Sequence, residues 1–165
     1  MELNLYLDLN PADICTAQQK GVRIICGHPA FYTKPQVVKS NELIRRALVK
    51  ALHNAGVKTR VSVGHSATTG KCWNAEVVAS PIKKPQPVAV SIIYYFPFPS
   101  GASKATREKG FVPMTERPDL DNLTKSVLDM MTDCRLWDDD AQVTELTLAK
   151  WRTEKPSVSV HILAD

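Results

Sequence analysis

The stretch VAVSIIYYFPF, residues 88–98, decides how this chain folds. Val88, Val90, Ile92, Tyr94 and Phe96 share one face of an extended segment rich in β-branched and aromatic residues. That pattern reads as a central strand. Pro97 and Pro99 mark its end, because proline cannot donate to a strand ladder.

Working outward toward the N-terminus, residues 64–84 read as polar and irregular, and 57–63 as a short strand. Before them, Val37, Asn41, Ile44, Leu48, Leu52 and Ala55 recur at helical spacing from about Pro35, and Gly56 supplies the C-terminal stop. Arg45, Arg46 and Lys50 sit away from much of that apolar stripe. Segments 22–26 and 30–33 predict a hairpin around Gly27, His28 and Pro29. At the start, Leu3, Leu5, Leu7 and Leu9 alternate with polar residues, the period-2 signature of a half-buried strand.

Toward the C-terminus, residues 99–116 form a basic, Gly- and Ser-containing segment read as a mobile loop. Lys104, Arg107, Lys109 and the following Arg117 are its candidate contacts for a polyanion. A helix is expected over 122–131, with Leu123, Val127, Met130 and Met131 on its apolar face. Residues 141–150 alternate as a strand, and 157–164 return through a turn at 153–156 as a hairpin. The expectation is an α+β fold in a single small domain spanning 1–165, with a mixed sheet and two principal helices. A chain of 165 residues, 44% hydrophobic, can bury one sizeable core.

Charge is unevenly distributed. Residues 14–115 carry 15 Lys and Arg against three acids, whereas 116–145 carry nine acids against three bases. A basic body around an acidic focus suits a polyanion held by the body while cations sit at the focus. No apolar run approaches the ~20 residues of a membrane span, and the start lacks the pattern of a secretory leader. The reading is a soluble cytoplasmic protein with no membrane partner. Its four cysteines show no C-x-x-C spacing, so reduced, mostly buried thiols are expected. A zinc site from Cys26, His28, His65 and Cys72 fits no known ligand spacing.

The acidic focus has its own geometry. Pro118 biases Arg117 toward extended backbone, and alternate side chains of an extended segment share a face. Asp119 and Asp121 are thereby expected together, with Asp121 at or near the N-cap of the helix. Lys125, four residues on, returns to the same side, although Asp129 competes for it as an ordinary i,i+4 partner. The helix travels ~15 Å away from Asp121, and the nine residues 132–140 can span up to ~30 Å extended. Asp138, Asp139 and Asp140 can therefore return to the helix start, anchored by Trp137, with Asp140 entering at the beginning of a strand. Three carboxylates suit Mg²⁺ or Mn²⁺, which prefer oxygen ligands, and Lys125 would stabilise a phosphate oxygen or leaving group. Each acidic run also has a structural reading, the first as an N-cap with a neighbouring surface acid and the second as a solvated turn or weak calcium site.

RPDLDNLTKSVLDMM (117–131), followed by LWDDDAQV (136–143) and Lys150, closely resembles the RusA family of crossover junction endodeoxyribonucleases. The resemblance is concentrated in about a fifth of the chain. It implies that Asp119 and Asp121 match the first two catalytic carboxylates, Lys125 the catalytic lysine and Asp140 the third carboxylate, with Asp139 supporting. It further implies a homodimeric, Mg²⁺-dependent enzyme, often encoded by phages and prophages, that nicks two opposing strands of a four-way Holliday junction in DNA recombination and repair. Segments 64–84 and 99–116 are longer than a minimal member needs. The alternatives are a general metal-dependent DNA nuclease, a non-catalytic DNA-binding protein, which would need no aligned carboxylates, and a nucleotide hydrolase, which would need a base pocket.

Overall fold

Strand 88–97 sits in the middle of a five-stranded sheet, with Val88, Val90, Ile92, Tyr94 and Phe96 all buried and the residues between them half-buried. The computed structural model describes residues 1–15, 20–26, 28–66 and 70–165. In chain order the strands are β1 (Glu2–Leu7), β2 (Lys20–Ile25), β3 (His28–Thr33), β4 (Thr59–Ser66), β5 (Gly70–Val77), β6 (Val88–Pro97), β7 (Val112–Pro113), β8 (Val143–Thr153) and β9 (Ser157–Ala164). The helices are α1 (Pro35–Asn54), α2 (Lys104–Glu108) and α3 (Leu120–Asp133). The main sheet runs β1-β9-β6-β8-β7, with β6 parallel to β8 and antiparallel to β9. It is a mixed sheet in an α+β fold, as expected.

β6 and β8 are parallel because the chain between them crosses over through α2, β7 and α3, the only way to bring consecutive major strands into parallel register. The predicted hairpin of the last two strands is therefore corrected. β8 and β9 flank β6 on opposite sides, and β9 pairs with β1 and β6 instead. Val158, Val160 and Ile162 on β9 are all buried, and an interior position lets that strand satisfy both of its edges.

Two more expectations are corrected. Residues 64–84 are not irregular throughout, since β5 pairs with β4 from Thr59↔Val77 to Ser66↔Gly70. This two-stranded sheet is not hydrogen-bonded to the main one, and the alternation of Trp73, Ala75 and Val77 with Asn74 and Glu76 is the period-2 signal for β5. Segment 99–116 also holds structure. Ser103 Oγ accepts from Thr106 N at 3.1 Å to cap α2, and β7 pairs with β8.

The core draws on β1, β6, β9, α1 and α3. Leu123, Val127, Met130 and Met131 of α3 are each at most 1% exposed. Each contributes about 1.5–3 kcal/mol by burial, which fixes the rotation of α3 about its axis. Tyr94 Oη lies 3.2 Å from Thr124 Oγ1 in the interior, tying β6 to α3, and burial pushes the phenol pKa well up. At the far end, Arg45 of α1 approaches Asp133 at 3.5 Å. Gly56 ends α1 with a φ of +80°, a left-handed conformation that favours glycine. Among the described residues, no helix is long and apolar enough to cross a membrane. The zinc alternative rests partly on His65 and Cys72, whose side chains lie outside those described.

Candidate active site

The start of α3 places the first carboxylates. Asp119 is the N-cap, with extended backbone (φ −73°, ψ 144°), and Leu120 is the first helical residue. Asp121 thus lies inside the first turn, where negative charge complements the helix dipole. The expectation that Asp119 and Asp121 share one extended face is corrected, because helical geometry begins between them. The Asp119 carboxylate makes no capping hydrogen bond, although aspartate is among the best capping residues. Just upstream, Lys150 Nζ donates to the carbonyls of Glu116 (2.6 Å) and Pro118 (2.8 Å). Arg152 reaches the Glu116 carboxylate at 3.3 Å. The Glu116 pKa is lowered by a hydrogen bond from its own backbone and then by Arg152.

The second acidic run is sorted by its neighbours. Ile82 bridges to Trp137, so residues 83–86 run beside 138–142. The Asp138 carboxylate accepts from Lys84 N and Lys83 Nζ, both at 3.1 Å. The Asp139 carboxylate accepts from Lys84 Nζ at 2.6 Å and from Ala141 N at 3.0 Å. Both pKa values are lowered, Asp138 chiefly by the Lys84 backbone N–H and Asp139 chiefly by the Lys84 ammonium. Gln142 closes the loop: its Oε1 accepts from the backbone N–H groups of Asp138 and Asp139 at 3.1 Å, while its Nε2 donates to the Gln86 carbonyl. Asp140 opens a short 3₁₀ turn, 140–142, rather than β8 itself. Trp137, 1% exposed, anchors the run and donates from Nε1 to Thr132 Oγ1 at 2.7 Å.

Asp121, Lys125 and Asp140 meet around one cleft of about 240 Å³. Thr124, Leu128 and Asp129 complete its α3 side, and Leu146 and Leu148 of β8 form the opposite wall. Lys125 Nζ lies 3.2 Å from the Asp129 carboxylate, so the anticipated competing ion pair forms. Asp119 stands at the mouth of α3 and is not part of this lining. Among the described residues, no three His, Cys, Asp or Glu side chains are close enough to hold a metal ion by themselves. Asp121 and Asp140, two of the three carboxylates that line this open cleft, nevertheless fit Mg²⁺ or Mn²⁺, which bind through one or two carboxylates and fill remaining positions with water and substrate phosphate.

The candidate DNA contacts divide in two. Lys104 is highly exposed and 3.8 Å from Glu108, and Lys109 and Arg117 are exposed. Arg107 is instead committed within the fold. It meets the Glu154 carboxylate at 2.9 and 3.1 Å, donates to the Pro99 and Ala102 carbonyls and stacks on the Phe98 ring. Sequence reasoning gave no site role to Lys83, Lys84 or Arg152, whose partners are distant in the chain. Gln142 and Lys150 stood within or beside the recognisable motif without a role.

The RusA endodeoxyribonuclease family model matches residues 45–163, well over half of the chain. The uncharacterized protein YqaN of Bacillus subtilis (strain 168) is 35% identical over 81 residues, covering 46% of this chain and 56% of its own length. The crossover junction endodeoxyribonuclease rusA of Lactococcus phage r1t is 24% identical over 161 residues, covering 98% of this chain and 95% of its own. The matched span holds both acidic runs, the cleft between α3 and β8, and the Lys150 contacts, and on that match the chain belongs to the RusA family of endodeoxyribonucleases.

Proposed function

We propose that this chain is a Mg²⁺- or Mn²⁺-dependent endodeoxyribonuclease that resolves four-way Holliday junctions by paired nicks, working as a homodimer in DNA recombination and repair in the cytoplasm of a bacterial or phage-infected cell. The observation that carries the reading is the meeting of Asp121, Lys125 and Asp140 around one cleft, beside an N-cap aspartate whose carboxylate is not spent on capping. The phage relative's name supplies the junction as substrate.

Asp119, Asp121 and Asp140 would hold the metal, with Asp139 supporting from its clasp with Lys84. When bound, such an ion supplies an activated water and Lewis-acid stabilisation of the phosphate. The chain's own contribution is orientation and charge. Lys125 leaves Asp129 for a phosphate oxygen and stabilises the negative charge that grows as the leaving oxygen departs. Leu146, Leu148 and Leu128 shape the walls. The basic body, including Lys104, Lys109 and Arg117, supplies sequence-independent affinity that falls as salt rises. One such cleft serves one phosphodiester. Two nicks on opposing strands match two sites related by a two-fold axis.

The test is cleavage of a labelled four-way junction by the purified protein, with duplex and flap controls, in Mg²⁺ or in chelator. Symmetric nicks confined to Mg²⁺ and to the junction are expected. Equal rates on duplex would reduce the reading to a general metal-dependent nuclease, and binding without cutting to a DNA-binding protein.

A further inference from the structure

We infer that Lys150 is a positioning residue for this site, holding the turn that delivers Asp119; the inference rests on the nuclease reading above. Side chains on β8 alternate between faces, so Leu146, Leu148 and Lys150 share the face toward α3. The two leucines line the cleft, and Lys150 is the next residue of their row.

Lys150 grips the incoming chain twice. Its backbone carbonyl accepts from Met114 N at 3.2 Å, immediately after β7 ends at Pro113. Its ammonium then takes the Glu116 and Pro118 carbonyls at 2.6 and 2.8 Å. The second of these belongs to the peptide unit that carries the Asp119 N–H. Residues 115–119 lie outside strand and helix, so their path depends on such contacts. Among the described residues Lys150 has no ion-pair partner, and its charge is directed to two carbonyl dipoles. Removing the ammonium leaves both carbonyls without that donor and frees the peptide before Asp119 to rotate. Asp119 forgoes a side-chain capping bond; its own carbonyl accepts from Leu123 N at 3.2 Å, which holds the helix side of the residue and leaves the peptide before it to Lys150.

The experiment compares wild type with Lys150→Met and Lys150→Arg. Three quantities are read: Mn²⁺ binding to the protein alone by electron paramagnetic resonance, thermal unfolding, and single-turnover junction cleavage against junction affinity. Lys150→Met is expected to weaken Mn²⁺ binding roughly 10–100-fold and to slow cleavage similarly, with junction affinity nearly unchanged. Excess Mn²⁺ should recover most of the rate, and Lys150→Arg should be intermediate because a guanidinium can still donate to two carbonyls. Should Lys150→Met not fold, Lys150→Gln takes its place with the same expected direction. Unchanged Mn²⁺ affinity, or a slowed rate that excess Mn²⁺ does not recover, would overturn the positioning role. A wild-type protein that binds Mn²⁺ but cuts no junction would sink the nuclease reading and leave the Mn²⁺ comparison to judge Lys150. A wild type that binds no Mn²⁺ overturns both.

Discussion

Lys125 Nζ is held 3.2 Å from the Asp129 carboxylate, one turn further along α3. Both groups line the cleft that also contains Asp121 and Asp140, so under the proposed nuclease reading the pair would be the resting position of the ammonium. Lys125→Ala is expected to slow single-turnover junction cleavage on the order of 100-fold or more, the scale of losing one electrostatic donor in a transition state. Junction affinity should change little, since one cation among many is lost from binding. Lys125→Arg should rescue poorly because a planar fork does not replace a point charge. Asp129→Asn should retain cleavage and cost no more than about 0.5 kcal/mol in urea unfolding, the range of an exposed i,i+4 pair. Equal losses of rate and affinity in Lys125→Ala would make it a binding residue only.

Asp121→Asn and Asp140→Asn keep side-chain volume while removing the charge that faces the cleft. Each is expected to abolish Mg²⁺-dependent cutting, and Asp119→Asn to do the same from the N-cap. Folding by circular dichroism should be preserved, and junction binding in chelator should hold or tighten because carboxylates that repel phosphate are gone. Robust cutting by any one variant would remove that residue from the ligand set.

The clasp between Lys83, Lys84 and the second acidic run gives a pH prediction. The folded pKa values of Asp138 and Asp139 lie below their ordinary 3.8. The stability linked to them is therefore present above that ordinary value and is lost as pH falls through the lower folded values. Carbon-13 carboxyl titration should show both groups ionised below the usual range. In Lys84→Met the Asp139 value should move up toward ordinary, since the ammonium is its largest cause, while Asp138 moves less because it keeps the Lys84 backbone N–H. Identical titration in the variant would mean that the clasp does not form in solution.

Two buried groups brace α3 and the second acidic run. Trp137→Ala removes a side chain that is 1% exposed and should cost about 3–5 kcal/mol in urea unfolding. Tyr94→Phe removes the hydroxyl that pairs with Thr124 Oγ1 at 3.2 Å. It should cost about 1–3 kcal/mol, because the Thr124 hydroxyl is then left buried without that partner. A neutral Tyr94→Phe would show that the Thr124 hydroxyl finds another hydrogen-bond partner.

The sequence by itself determined the local elements and the chemistry of the candidates. β6, α1 and α3 were legible because apolar residues recur at the period of the structure that buries them, and the resemblance over 117–150 picked out Asp119, Asp121, Lys125 and Asp140 by type and spacing. Even the Lys125–Asp129 pair was readable, since an i,i+4 contact is local. Tertiary structure alone decided what depends on partners far along the chain. It placed β9 and β8 on opposite sides of β6 rather than in a hairpin, and it paired β4 with β5, although Val61, Val63, Trp73, Ala75 and Val77 alternate with polar residues in the sequence. It divided three consecutive aspartates, giving Asp138 and Asp139 to lysines more than 50 residues away and leaving Asp140 at the cleft. It also began α3 one residue before Asp121, so that Asp119 is the N-cap and Asp121 a first-turn residue rather than two members of one extended run. Periodicity reports which face of an element seeks the core, but it carries no information about which distant donor arrives there, and the hydrogen bonds that sort these acids are made only when the sheet has brought residues 83–86, 114–119 and 150 beside them.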